Sequence, residues 1–301
     1  MKKSKTMIVT FLLPAVLAYL IIYLYPTIRT LWMSFNFMED MGDPMREWTF
    51  VGINNYINLF KSDLFVASLK NLVKVWVIGI VIVFPISMIL AVVVTSKIKF
   101  RMFFKAVIYM PAIISPIAMG TMWVHYIYNP KFGFLHTVFK ALHLEKLSKI
   151  VYLAPDRIFM SMLIGFCFVI SGYFMLVFSS AMQGIPHDYY DAATLETNRA
   201  FDKFRYITFP LLRPTMKTCL ILWTLQVANF FIWPQLFSQF NMAYETVAPV
   251  NYLYSMAFGS TMHTLERSVG VAACIGVLMF FFILAAYLIV HFSIKDTDIE
   301  Y

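Results

Sequence analysis

IPHDYYDAATLETNRAFDKFRYITFPLLRP, residues 185–214, is a polar and charged run with a long apolar segment immediately on either side. From Tyr189 to Leu195 it holds acceptable helix formers, with apolar Ala192, Ala193 and Leu195 beside acidic Asp191 and Glu196. A second helical run follows, where Phe201, Phe204 and Ile207, with Tyr206 beside them, recur at helical spacing on one face. Thr197-Asn198 separates the two runs, and Asn198 is the residue expected to take the left-handed conformation of a tight turn. Pro210 and Pro214 are then expected to stop the second helix and to open the next apolar segment. The expected product is a short helix-turn-helix at a membrane surface, apolar on one side and shaped to dock onto something.

Composition accounts for the flanks. Hydrophobic residues make up 60% of the 301 residues and charged ones 13%, and the mean hydropathy is +0.73, which no ordinary soluble domain shows. A helix needs about 20 apolar residues to cross a bilayer core. Six such runs are present, at 8–28, 70–94, 105–127, 158–181, 213–238 and 268–292. The expected fold class is an all-α polytopic membrane protein with six transmembrane helices in a single domain spanning 1–301. The net charge of +8 suits a face held against anionic lipid and is no argument for nucleic acid.

Charge also orients the chain. Lys2, Lys3 and Lys5 precede the first span, which is too long for a signal peptide and has no convincing cleavage site. The loop at 96–105 carries Lys97, Lys99, Arg101 and Lys105 and belongs inside, as does the 185–214 stretch with Arg199, Lys203, Arg205, Arg213 and Lys217. The loop with Glu39, Asp40, Asp43 and Glu47 belongs outside. The segment between Lys140 and Lys149 is basic although the alternation puts it outside. Six spans leave both termini in the cytoplasm.

Catalytic signals are missing. Cys167, Cys219 and Cys274 all fall inside expected spans and offer neither a disulfide framework nor metal spacing. No Walker-type Gly-x-x-x-x-Gly-Lys-Ser/Thr run, His-Glu-x-x-His or Gly-x-Ser-x-Gly elbow occurs. If the protein uses ATP, another polypeptide binds it.

The 185–214 stretch resembles the "EAA" coupling loop of permease subunits from bacterial binding-protein-dependent ABC importers. Asp191-Ala192-Ala193 stands for the family's Glu-Ala-Ala, and Pro210-Leu211-Leu212-Arg213-Pro214 closes the pattern in register. Asp191 keeps the carboxylate on a shorter stem, while Thr197-Asn198 replaces Gly-Ala. Further pieces point to the carbohydrate branch of the maltose-F or glycerol-phosphate-A kind. They are Tyr25-Pro26 with Ser34-Phe35, Phe50-Val51-Gly52-Ile53-Asn54-Asn55-Tyr56, Met110-Pro111, Asn129-Pro130, and Gly270 with Ala272-Ala273. A Gly-Gly-Pro between the last two spans is missing.

The resemblance implies a type I importer permease fold in the bacterial cytoplasmic membrane. It also implies one of two permeases in a heterodimer, a cytoplasmic ATPase dimer that alone binds ATP and Mg²⁺, and an extracytoplasmic sugar-binding protein. The chain itself would be no enzyme and would bind no cofactor. Within the loop, Asp191 and Glu196 would be anchored by polar groups of the ATPase, and Ala192 and Ala193 would allow close approach. Thr197 and Asn198 would form the turn, Phe201 and Phe204 would brace the element against the membrane helices, and Pro210 would end it.

A sugar path is sought among polar residues within spans, where they are costly unless they face a cavity or each other. On an unbroken helix over 219–237, Trp223, Gln226, Asn229, Phe230, Trp233 and Phe237 fall within an arc of about 120°. Rings interleaved with amides suit a sugar, whose C–H faces stack while its hydroxyls seek paired partners. Helix packing through an interhelical amide fits the same residues. Tyr173, in the polar island Ser171-Gly172-Tyr173, is a second candidate wall. An ion-coupled sugar carrier is the competing class, but it would place a carboxylate or His at the middle of a span, and no Asp or Glu lies within the six cores.

Overall fold

The computed structural model describes residues 5–40, 42–96, 98–239, 241–259 and 267–294. Lys2, Lys3, Lys97 and both chain ends, used above for orientation, lie outside the described residues. Four described helices are long and apolar enough to cross a membrane: Val9–Met33, Asp63–Thr95, Ile158–Gln183 and Val269–Ser293. Asp63–Thr95 begins before the expected position 70. Its 33 residues reach about 50 Å at about 1.5 Å per residue, well beyond a hydrocarbon core of about 30 Å.

Two expected spans are broken. The 105–127 run is a pair of helices, Arg101–Ile113 and Pro116–Ile127, bent by 95°. Ile114 and Ser115 are extended (ψ 143° and 133°), because the Pro116 ring disfavours helical backbone in the residue before it. The 213–238 run is Arg213–Ala228 followed by Ile232–Phe237. Pro234 has no N–H to continue the ladder. The amide of Asn251 occupies the break, donating to the Phe231 carbonyl and to Gln235 Oε1, both at 3.0 Å.

The chain forms two compact units. One takes residues up to Val66 together with Tyr252–Phe281; the other runs Ala67–Asn251 and resumes at Phe282. In the first, Val9–Met33 is mostly apolar, with Arg29 its one charged residue, and none of its described side chains is buried. A helix of that kind faces lipid or another chain. After it, Asn36–Phe37 pairs antiparallel with Thr49–Phe50, Asn36 opposite Phe50. Asn55 explains the Gly52-to-Tyr56 motif. Its buried amide donates to the carbonyls of Ser34 (3.1 Å) and Asn36 (2.9 Å), and Tyr56 donates to Ser34 Oγ at 2.8 Å. Burial, opposed by that bond, raises the Tyr56 phenol above its usual range. A Cβ at Gly270 would strike the Asn36 carbonyl oxygen, so only glycine lets the last long helix seat here.

In the second unit the 158–183 helix is the centre, buried through most of its length. Gly172 lies flat on the 101–113 helix, where a Cβ would meet the Ile108 carbonyl. Ser171 is buried and used, since Ser171 Oγ donates to the Cys167 carbonyl (2.6 Å) and the Ser171 carbonyl accepts from Ser87 Oγ (2.9 Å). His125 and Tyr126 are exposed. Tyr128, two residues on, differs from them. It is buried, stacks on Tyr152 with centroids 5.0 Å apart and donates to the Ser161 carbonyl at 3.0 Å. His136 pins the neighbouring loop through Nδ1 and the Ser148 carbonyl, 2.8 Å apart.

Candidate functional site

The polar stretch folds as a helix, a break and a second helical arm. Pro186, extended at ψ 139°, delivers the chain into His187–Glu196. That helix has no buried residue. Asp191, Ala192 and Glu196 are exposed, Ala193 is half-buried, and Leu195 is 90% exposed. An apolar Leu so placed on a polar helix is not covered by any of the described residues. The helix is tethered from its other side, where the Tyr190 hydroxyl meets Thr208 Oγ1 at 2.9 Å and Lys203 Nζ donates to Thr194 Oγ1 at 2.8 Å.

The turn corrects the expectation for Asn198. No residue between 187 and 211 has a positive φ. Thr197 (φ −152°, ψ 138°) and Arg199 (ψ 123°) are extended instead. Thr197 Oγ1 holds the corner, accepting from the Arg199 N–H at 3.2 Å and donating to Asp202 Oδ2 at 3.0 Å. A hydroxyl turn needs no left-handed residue, so the loss of glycine here costs no strain.

Pro210 does not stop the second arm, which is a second correction. Ala200–Lys203 passes into a wide turn, Phe204–Thr208, where the Phe209 N–H reaches back to the Phe204 carbonyl. Phe209–Leu211 and then Arg213–Ala228 follow, with only Leu212 between them. The wide turn absorbs the clash a proline causes in a regular helix. The arm is therefore helical from Ala200 to Ala228 apart from that one residue. Phe201 and Phe204 line an apolar groove against Phe84 and Met88 of the 63–95 helix. Phe201 is 68% exposed, whereas Phe204 packs on Phe209 with centroids 6.2 Å apart.

The second candidate set divides. Trp223, Phe230 and Trp233 are buried around Phe166, at centroid distances of 5.6, 4.8 and 5.9 Å. Trp223 Nε1 donates to the Trp76 carbonyl (3.1 Å), and Trp76 Nε1 donates to Thr224 Oγ1 (3.0 Å). Gln226 and Asn229 are exposed, and Tyr173 is half-buried. The single arc does not exist because the helix ends at Ala228. Beyond the break the wheel no longer continues, and Asn229 turns its amide back to the Leu225 carbonyl, 2.9 Å. Sequence reasoning missed Tyr190, Thr208, Trp76 and Asn251. Their partners lie at least 16 residues away, so no local pattern announced them. Among the described residues no group of His, Cys, Asp and Glu is placed to hold a metal.

No family model matches the chain. A probable ABC transporter permease protein of Pyrococcus horikoshii is 25% identical over 85% of this chain and 90% of its own length. The arabinooligosaccharides transport system permease protein AraP of Halalkalibacterium halodurans is 26% identical, over 88% and 80%. The fold matches a chain of a bacterial alginate ABC transporter, solved in complex with an alginate pentasaccharide-bound periplasmic protein. The TM-score there is 0.77 at 20% identity, covering 97% of this chain and 96% of that one. The fold is thus that of an ABC importer permease, a class of integral membrane proteins. By sequence, the relatives of this chain are ABC transporter permease proteins, several of them named for sugar transport systems, as the loop motif and the further pieces implied.

Proposed function

We propose that this chain is the membrane-spanning subunit of an ATP-driven sugar importer, most simply for an oligosaccharide, in a bacterial cytoplasmic membrane. It makes six membrane crossings, two of them broken, with both termini cytoplasmic. It forms half of the translocation path with a second permease, takes substrate from an extracytoplasmic binding protein, and leaves ATP and Mg²⁺ to a cytoplasmic ATPase dimer. The observation that carries this reading is the 187–196 helix, which has no buried residue and is joined to an arm that is helical into the fifth crossing.

The exposed face of Asp191, Ala192, Leu195 and Glu196 docks on the ATPase, and Thr197 fixes its angle to the arm. Closure of the ATPase dimer then moves the arm, and the motion reaches the break at Asn229–Phe231 without dissipating in a loop. Gln226 and Asn229, exposed beside that break, and Tyr173 face the sugar; the buried rings hold them in place. This is a rocking of packed helices between two arrangements.

The test is a mild-detergent pull-down of the tagged chain, with mass spectrometry of what accompanies it. A second permease and a Walker-type ATPase should be recovered. Asp191→Lys with Ala193→Glu should lose the ATPase and abolish uptake while leaving binding-protein affinity intact. A chain that purifies alone and moves sugar in liposomes under an ion gradient would replace this reading with a secondary carrier.

A further inference from the structure

Two cavities meet beside the 187–211 element. One, of about 450 Å³, opens where the ends of the 63–95 and 158–183 helices approach that element, and Arg101, His187, Lys203, Ser96, Tyr190 and Thr208 contribute to its wall. Among the described residues no carboxylate lines it. Lys203 Nζ donates to a threonine hydroxyl, and neither Lys203 nor Arg101 forms an ion pair with a described carboxylate. The other cavity, of about 830 Å³, is an apolar trough along the 63–95 helix from Val93 back to Ile80, with Phe201, Phe204 and Phe209 opposite. Val92, Ala200 and Phe204 line both cavities, so the basic hollow adjoins the trough.

The dimensions fit one kind of occupant. From Val93 to Ile80 the helix advances about 20 Å at about 1.5 Å per residue. One leaflet of a hydrocarbon core of about 30 Å is about 15 Å deep. Cations and hydroxyls stand at the mouth, at the end of a membrane-length apolar helix, and the trough leads away along that helix. Basic hollows between helices at the cytoplasmic surface are the sites that anionic headgroups take. We propose that this composite site binds an anionic phospholipid, its phosphate between Arg101 and Lys203 and one acyl chain between the 63–95 helix and the Phe201–Phe204 side of the arm. The lipid thereby becomes part of the seat of the arm. This inference rests on the chain being embedded in a membrane and not on transport, so its failure leaves the proposed function standing.

The full chain, purified into phosphatidylcholine nanodiscs with increasing phosphatidylglycerol of the same acyl chains, is examined by native mass spectrometry after release. One phosphatidylglycerol should be retained in preference to phosphatidylcholine. Each basic residue near an anionic surface contributes roughly a fivefold affinity, so Arg101→Ala with Lys203→Ala should weaken retention roughly twenty-five-fold. Arg101→Lys with Lys203→Arg should keep it. Lys131→Ala with Lys140→Ala, at two exposed positions outside the site, should leave it unchanged. Equal retention of the two lipids, equal loss in the Lys131/Lys140 pair, or displacement by inorganic phosphate alone overturns the proposal. Loss of the lipid when the partner subunits assemble also overturns it, because a protein segment is then the true occupant.

Discussion

Thr197 is the corner of the 187–211 element, and its hydroxyl can be removed without touching the rest. Thr197→Ala deletes the bond from the Arg199 N–H (3.2 Å) and the bond to Asp202 Oδ2 (3.0 Å). A net hydrogen bond is worth about 1 kcal/mol. Thr197 and Asp202 are half-buried, so water replaces part of what is lost, and the pair should contribute about 1 kcal/mol in total. That is roughly a fivefold shift toward the open form of the second arm. Hydrogen exchange of the full chain in nanodiscs reads this directly as a roughly fivefold loss of protection in the 199–204 amides. Protection of the 158–183 helix should not change. Thr197→Ser should restore the protection.

Asn198→Gly supplies the opposite arm of the test. At a left-handed residue glycine relieves about 1 kcal/mol of strain, whereas at an ordinary φ it costs about 0.4–1 kcal/mol through the unfolded chain. Because φ is negative here, Asn198→Gly should lower protection. Full protection in Thr197→Ala together with raised protection in Asn198→Gly would refute the hydroxyl turn and reinstate the left-handed one.

The divided candidate path gives a second prediction. Gln226→Leu with Asn229→Leu should cut sugar uptake severalfold while leaving the melting temperature in detergent near that of the parent. Trp223→Ala should instead cost about 3 kcal/mol of stability by emptying the aromatic cluster; the reverse pattern would assign the path to the rings. A third prediction concerns close packing. Gly172→Ala must push a Cβ into the Ile108 backbone, at a cost of about 1–3 kcal/mol. Thermal unfolding followed by size-exclusion chromatography should show a lower midpoint, and an unchanged midpoint would mean the two helices can separate without loss.

The sequence by itself determined the class of this protein. Apolar runs of membrane length can only be helices, because lipid offers the backbone no other partner. The spacing of the 185–214 stretch marked a two-part polar element between two of those runs, with its break at Thr197-Asn198 and the register of the Asp191 triplet. These are local properties, written in composition and period. What the tertiary structure alone decided is everything that depends on which group a freed backbone atom finds. The turn is made by the Thr197 hydroxyl because Asp202 is within reach. Pro210 is absorbed because a wide turn precedes it. The 213–238 run breaks at Asn229 because Asn251, 20 residues beyond Phe231, supplies the amide that stabilises the break. A helical wheel assumes an unbroken helix, so it drew Asn229, Phe230 and Trp233 onto the face of Trp223 and Gln226, although the helix ends at Ala228. Once the ladder is interrupted, Phe230 and Trp233 enter the core around Phe166 while Asn229 stays exposed, and no periodicity in the sequence carries that information.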